Sequence, residues 1–135
     1  MLLSAGFAAA LAAGLGPRAL LFGVVHAAVA VLILELFNYV AHYGLSRRTL
    51  PDGRTERLGP RHSWNTRRRF TNWTLLNSGR HSDHHRQPSE PYQSLEETAA
   101  EALLPAGYAA MFCLALVPPI WQRVMDPRAT RAGLS

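Results

Sequence analysis

The 135 residues suffice for one domain; nearly half are apolar and the formal net charge is +5. A single cysteine, Cys113, excludes a disulfide framework and a thiolate metal site, and its place in an apolar run predicts a packed side chain. Charge divides the chain at Ser46: before it stand one cation, Arg18, and one anion, Glu35, whereas the other 13 of 14 arginines and 8 of 9 acids follow.

Residues 1–15 are almost wholly apolar and carry no positive n-region, which argues against a secretory signal peptide. As a helix they cover only about 22 Å against a hydrocarbon core of roughly 30 Å, so they read as a short or tilted transmembrane helix. Gly14-Leu15-Gly16-Pro17 makes a turn. A second helix, from Ala19 to about Tyr43, is long enough to span. Within it Glu35, Asn38 and His42 fall at i, i+3 and i+7, one helical face that lipid tolerates poorly. That face serves either helix packing or a ligand, His42, supported one turn earlier by Asn38. His26 lies 16 residues before His42, about 24 Å along the helix, and is expected to make an interhelical hydrogen bond instead.

Ser46–Arg61 is a polar loop with a turn at Pro51-Asp52-Gly53. From His62 to about Leu76 aromatic and basic residues mix, Arg67-Arg68-Arg69 among them. Pro88-Ser89-Glu90-Pro91 interrupts any helix, and Leu95–Leu104 resumes helical periodicity. Leu103–Trp121 is apolar but broken by Pro105, Pro118 and Pro119, the pattern of an interfacial or re-entrant segment. The expected organisation is thus all-α: a transmembrane hairpin over residues 1–45 and a cytoplasmic region over 46–135, ending in an interfacial segment. The short turn holds only Arg18, whereas arginines crowd the other side, which places the N-terminus and everything after His42 in the cytoplasm.

His81, His84 and His85 have the spacing H-x-x-H-H. On a helix i, i+3 and i+4 project to one side, within reach of one or two metal ions. A ligating imidazole needs an acceptor for its other ring N–H, a duty open to Asp83 towards a neighbouring histidine. The competing reading is a solvated histidine-rich loop, which the apolar context and the stripe ending in His42 disfavour.

Several stretches, residues 38–45, 62–65 and 80–95 among them, together resemble the bacterial membrane alkane 1-monooxygenases, members of the fatty acid desaturase-like superfamily. Asn38-Tyr39-Val40-Ala41-His42-Tyr43-Gly44-Leu45 is similar to that family's NYxEHYGL motif, and His62-Ser63-Trp64-Asn65 to its HSWN motif. Arg80–His85, continuing to Tyr92-Gln93-Ser94-Leu95, resembles its third histidine box. Gly107-Tyr108, Met111-Phe112 and Val124-Met125-Asp126-Pro127 resemble its C-terminus, so the likeness runs in order along nearly the whole chain. It implies a transmembrane helical bundle and a non-haem di-iron centre that inserts one oxygen atom from O2 into a terminal alkane C–H bond. It also implies a bacterial inner-membrane, multi-pass location and electrons delivered by a rubredoxin-type donor. By resemblance His42, His81, His84 and His85 are iron ligands, and His62 has a supporting duty beside them.

Ala41 stands where the family usually has glutamate, and Ser78-Gly79 replaces a usual leucine and glutamine before the box, which is expected to alter the approach to it. The likeness begins after the family's first two histidine boxes. Of the roughly eight or nine protein ligands that the family's di-iron pattern implies, four are expected here, so an isolated chain is not expected to assemble a working centre. A gene fragment, a mis-called start and one half of a split enzyme all fit. Membrane desaturases and related hydroxylases use similar boxes; the HYG and HSWN stretches favour the alkane branch. Arg61–Arg69 with Trp64, Phe70 and Trp73 offers cations and stacking surfaces for nucleic acid. Anionic lipid headgroups or an acidic electron carrier meet such arginines more simply, and no nucleic-acid partner is expected.

Overall fold

The computed structural model describes residues 2–97 and 102–133. They are mostly helical and divide into two compact units, residues 1–35 and 36–135. The first unit holds helix α1 (Leu2–Leu15) and most of helix α2 (Pro17–His42). Gly16 joins them at a φ of +84°, a left-handed conformation that glycine adopts without strain, and Pro17 follows at the first helical position. The two helices pack through small residues. A Cβ on Gly23 would come within 3.3 Å of Leu11, so glycine there lets the helices approach. An apolar cavity of about 200 Å³ lies between Phe7, Leu11, Leu20 and Val24. Among the described residues α2 is the one helix long and apolar enough to cross a membrane; α1 is apolar but shorter.

The second unit takes in the last turns of α2 and all that follows. Its core gathers Val40 and Ala41 of α2 with Trp64, Leu104, Tyr108, Met111, Trp121, Met125 and Ala129. Strand β1 (Trp64–Asn65) pairs in parallel with β2 (Ala102–Leu103), Trp64 opposite Ala102, and the Leu104 N–H donates to the Asn65 carbonyl at 2.8 Å. Between the strands stand the short helices α3 (Arg69–Thr74) and α4 (His81–Arg86). Helices α5 (Tyr108–Ala115) and α6 (Pro118–Gly133) close the core.

Three expectations are corrected here. Leu95–Leu104 is not a continuous helix: Leu95–Glu97 is irregular, Ala102–Leu103 is a strand, and residues 98–101 lie outside the described residues. The reason is tertiary. Leu95 is buried, its carbonyl accepts a hydrogen bond from Arg80, and Ala102–Leu103 finds a pairing edge on β1. Pro118 and Pro119 begin α6 rather than breaking it, since the missing N–H of proline costs nothing in the first turn. Cys113 is exposed on α5, not packed.

Candidate metal centre

Two elements bring the candidate ligand residues together. Val40 and Ala41 anchor the end of α2 in the core, and His42 follows at its last position. Immediately after, Gly44 has a φ of +68°, and a Cβ there would sit 2.5 Å from that of Ala129. Only glycine meets both demands, so the chain turns off against α6 directly behind His42. Tyr43 strengthens that junction, its hydroxyl donating to Asp126 at 2.6 Å.

Helix α4 presents the histidine box. A tight turn precedes it, with Leu76 and Asn77 both left-handed and the Asn77 side chain donating to the Tyr92 carbonyl at 3.0 Å. Gly79 packs against Thr66 and Asn72; a Cβ would lie 2.8 Å from Thr66 Cγ2 and closer still to the Asn72 amide oxygen. A longer side chain at position 79 would therefore displace the approach to the box. Along α4 His81 and His85, four residues apart, face the same way, while His84 is turned outward and exposed.

The Nε2 atoms of His42, His81 and His85 form a triangle with edges of 3.2 Å (His42–His81), 3.4 Å (His42–His85) and 3.1 Å (His81–His85). His42 Nδ1 donates to the His62 carbonyl at 2.8 Å, which fixes the proton on Nδ1 and leaves the Nε2 lone pair facing the other two rings. One proton bridges only one edge of such a triangle, whereas a cation above it takes all three lone pairs. Imidazole nitrogens about 2.1 Å from a first-row metal ion stand about 3.0–3.4 Å apart at octahedral to tetrahedral angles. The three nitrogens already have that spacing, so this set fits a metal ion. Burial pushes His81 down to about 3, with His85, His42 and His84 as like charges adding to it. His85 is lowered by burial and then by His42 and His84. Both rings are therefore neutral at physiological pH, the form that ligates. Phe37 meets the His81 ring edge-on at 5.3 Å and stacks on Tyr108 at 4.7 Å, an aromatic wall on one side of the triangle. His81, His84 and the same Phe37 line a cavity of about 400 Å³ with Leu76, Leu95 and Glu90.

Residues 1–115 match the family described as "Fatty acid desaturase". The chain belongs to that family. Among curated relatives it is similar to "Alkane 1-monooxygenase 1" of Pseudomonas aeruginosa, 50% identical over 116 residues, covering 84% of this chain and 30% of the relative. "Alkane 1-monooxygenase 2" of Alcanivorax borkumensis is 45% identical over 126 residues, 93% of this chain and 33% of that protein. "Alkane 1-monooxygenase" of Acinetobacter baylyi is 40% identical over 126 residues, 93% of this chain and 31% of that one. The chain thus spans about a third of the length of these relatives.

Within this desaturase-family chain the remaining candidates fall in different places. The His62 ring is buried, but its Nδ1 accepts from the Gly59 N–H at 2.9 Å and its Nε2 faces Glu56 at 3.4 Å without hydrogen-bond geometry. The backbone carbonyl of His62, rather than its ring, orients His42. Asp83 is buried, yet it accepts from the Glu96 N–H at 2.8 Å and from Arg86 at 2.6 and 2.9 Å, so it pins the returning segment and not a histidine ring. The Glu96 N–H first, and Arg86 with it, hold its carboxyl below the usual range. Asn38 is exposed and makes no side-chain hydrogen bond among the described residues. The expected hydrogen bond of His26 is likewise not formed among them; its ring stacks on Phe22 at 5.9 Å.

Sequence reasoning missed Asn65, Ser82 and Phe37. Asn65 and Ser82 lie inside the quoted HSWN and RHSDHH motifs, and a polar residue in a histidine-bearing motif was the available signal. Phe37 carried no signal, since one aromatic in an apolar helix resembles any other.

Proposed function

We propose that this chain is the C-terminal portion of a non-haem di-iron monooxygenase that hydroxylates terminal C–H bonds of alkanes or related lipid chains. The observation that carries the reading is the triangle of three imidazole nitrogens at metal-ligand spacing. In it His42, His81 and His85 hold one iron, and His84, exposed beside the cavity, serves a second iron whose other ligands come from outside this chain. Iron, when bound, activates O2 so that one oxygen atom enters the C–H bond and the other leaves as water, with two electrons and two protons supplied.

The chain's own residues prepare that chemistry. The His62 carbonyl sets the tautomer of His42. Burial keeps His81 and His85 unprotonated. Phe37, Leu76 and Leu95 give the cavity apolar walls, suited to a substrate with no polar handle. The relatives' names favour hydroxylation over desaturation.

Residues 1–45 form a membrane hairpin in this reading, with 46–135 as the cytoplasmic iron-ligand region of a multi-pass protein of the bacterial inner membrane. The length and apolar character of α2 and the arginines beyond Ser46 support that topology. A rubredoxin-type donor supplies the electrons, and exposed Arg68 and Arg69 suit an acidic carrier. The test is alkane oxidation in membranes containing this sequence joined to the remaining ligands, with iron measured in parallel. His84→Ala is expected to abolish the terminal alcohol and lower bound iron. Full activity with full iron in that variant would overturn the ligand assignment.

A further inference from the structure

Helix α4 is six residues long, too short to hold its own direction, and its N-cap residue Arg80 supplies no side-chain acceptor. The acceptor comes from elsewhere. Asn65, fully buried on β1, accepts the Ser82 N–H on its Oδ1 at 2.9 Å. Its Nδ2 donates to Ser82 Oγ at 2.6 Å and to the Ser63 carbonyl at 3.0 Å. Ser82 Oγ in turn donates to the Pro60 carbonyl at 2.6 Å. Ser82 sits directly after His81 and three residues before His85. The same four-residue strip reaches the end of α2 twice, through the His62 carbonyl on His42 and through Trp64 Nε1 donating to the Tyr43 carbonyl at 2.7 Å. His62–Asn65 therefore touches both elements that carry the triangle, and Asn65 is its only hold on α4 by a polar side chain among the described residues.

We propose that Asn65 is a positioning residue for the metal centre: its carboxamide caps and orients α4 so that His81 and His85 meet His42. This rests on the reading of the triangle as a metal site. A buried amide that makes these bonds at one end of a six-residue helix sets the helix direction, and a small rotation there moves both Nε2 atoms together. Removing it leaves the Ser82 N–H and the Ser63 carbonyl without these partners, so α4 tilts in search of others.

The probe is Co(II), titrated into the full detergent-solubilised chain and followed by its d–d absorption. Long-range proton–nitrogen correlation of the histidine rings is recorded on the metal-free chain. Asn65→Ala is expected to weaken Co(II) binding by about tenfold or more, the usual effect of losing a group that orients ligands, and to change the shape of the bound spectrum. Asn65→Asp keeps an acceptor for the Ser82 N–H and loses the donors, so it is expected to fall between. Asn72→Ala removes another buried amide, one bonded to the Thr66 carbonyl at 3.2 Å, and is expected to lower stability while leaving the Co(II) spectrum unchanged. Wild-type affinity, spectrum and ring shifts in Asn65→Ala would overturn the proposal. If wild type binds no Co(II) but Asn65→Ala still moves the His81 and His85 ring signals, the metal reading fails and the brace stands. If it binds none and the rings do not move, both fall.

Discussion

Gly44→Ala probes how the fold holds His42. At a φ of +68° a non-glycine residue costs about 1–2 kcal/mol. The added Cβ also falls 2.5 Å from that of Ala129, well inside contact distance, and overpacking of that kind costs about 1–3 kcal/mol. The single substitution should therefore destabilise by about 2–5 kcal/mol. Only the second contribution depends on Ala129. In an Ala129→Gly background the same change should cost about 1–2 kcal/mol, leaving a coupling of about 1–3 kcal/mol between the two positions. Urea denaturation of the detergent-solubilised chain measures all four corners of the cycle, with the buried Trp64 and Trp121 as fluorescent reporters. Because Gly44 is two residues from His42, the single variant should also weaken metal binding, and Ala129→Gly should restore part of it. A coupling below about 0.5 kcal/mol would show that α6 does not press on this turn and would refute the reasoning.

Other outcomes follow from the same packing. Trp121→Ala removes a fully buried indole from the core and should cost about 3–5 kcal/mol in the same denaturation assay; a loss under about 1 kcal/mol would place Trp121 outside the cooperative unit. The carboxyl of Asp83 is held below its ordinary range by the Glu96 N–H and Arg86, so its contribution is present above the unfolded value of about 3.9 and lost as pH falls through the lower folded value. Asp83→Asn should thus be less stable than wild type at pH 7, and the gap should close in acid; an equal gap at pH 7 and pH 3 would contradict the assignment.

Much of the candidate site was legible in the sequence because metal ligation needs specific residue types. The i, i+4 pair His81 and His85 and the distant His42 stood out on that ground, and they converge. Spacing alone does not separate His84 from them, since i+3 and i+4 both lie on the same broad face; a tight ring arrangement takes one and turns the other outward. Leu95–Leu104 shows the opposite failure. Its helical periodicity was real but weak, and pairing with β1, a contact nearly forty residues away, overrode it. The supporting bonds were the least legible. His42 is oriented by a backbone carbonyl, which leaves no trace in residue type, and Asn65 acts through a serine whose identity alone says nothing of burial.

The central claim is that His42, His81 and His85 present three nitrogens to one metal ion. X-ray absorption on the chain loaded with one equivalent of Co(II) tests it most directly. Wild type should show three imidazole nitrogens at about 2.1 Å, and His42→Ala should show two, with His84→Ala unchanged at three. Imidazole scattering that is absent from wild type, or that is unaltered by His42→Ala, would contradict the account.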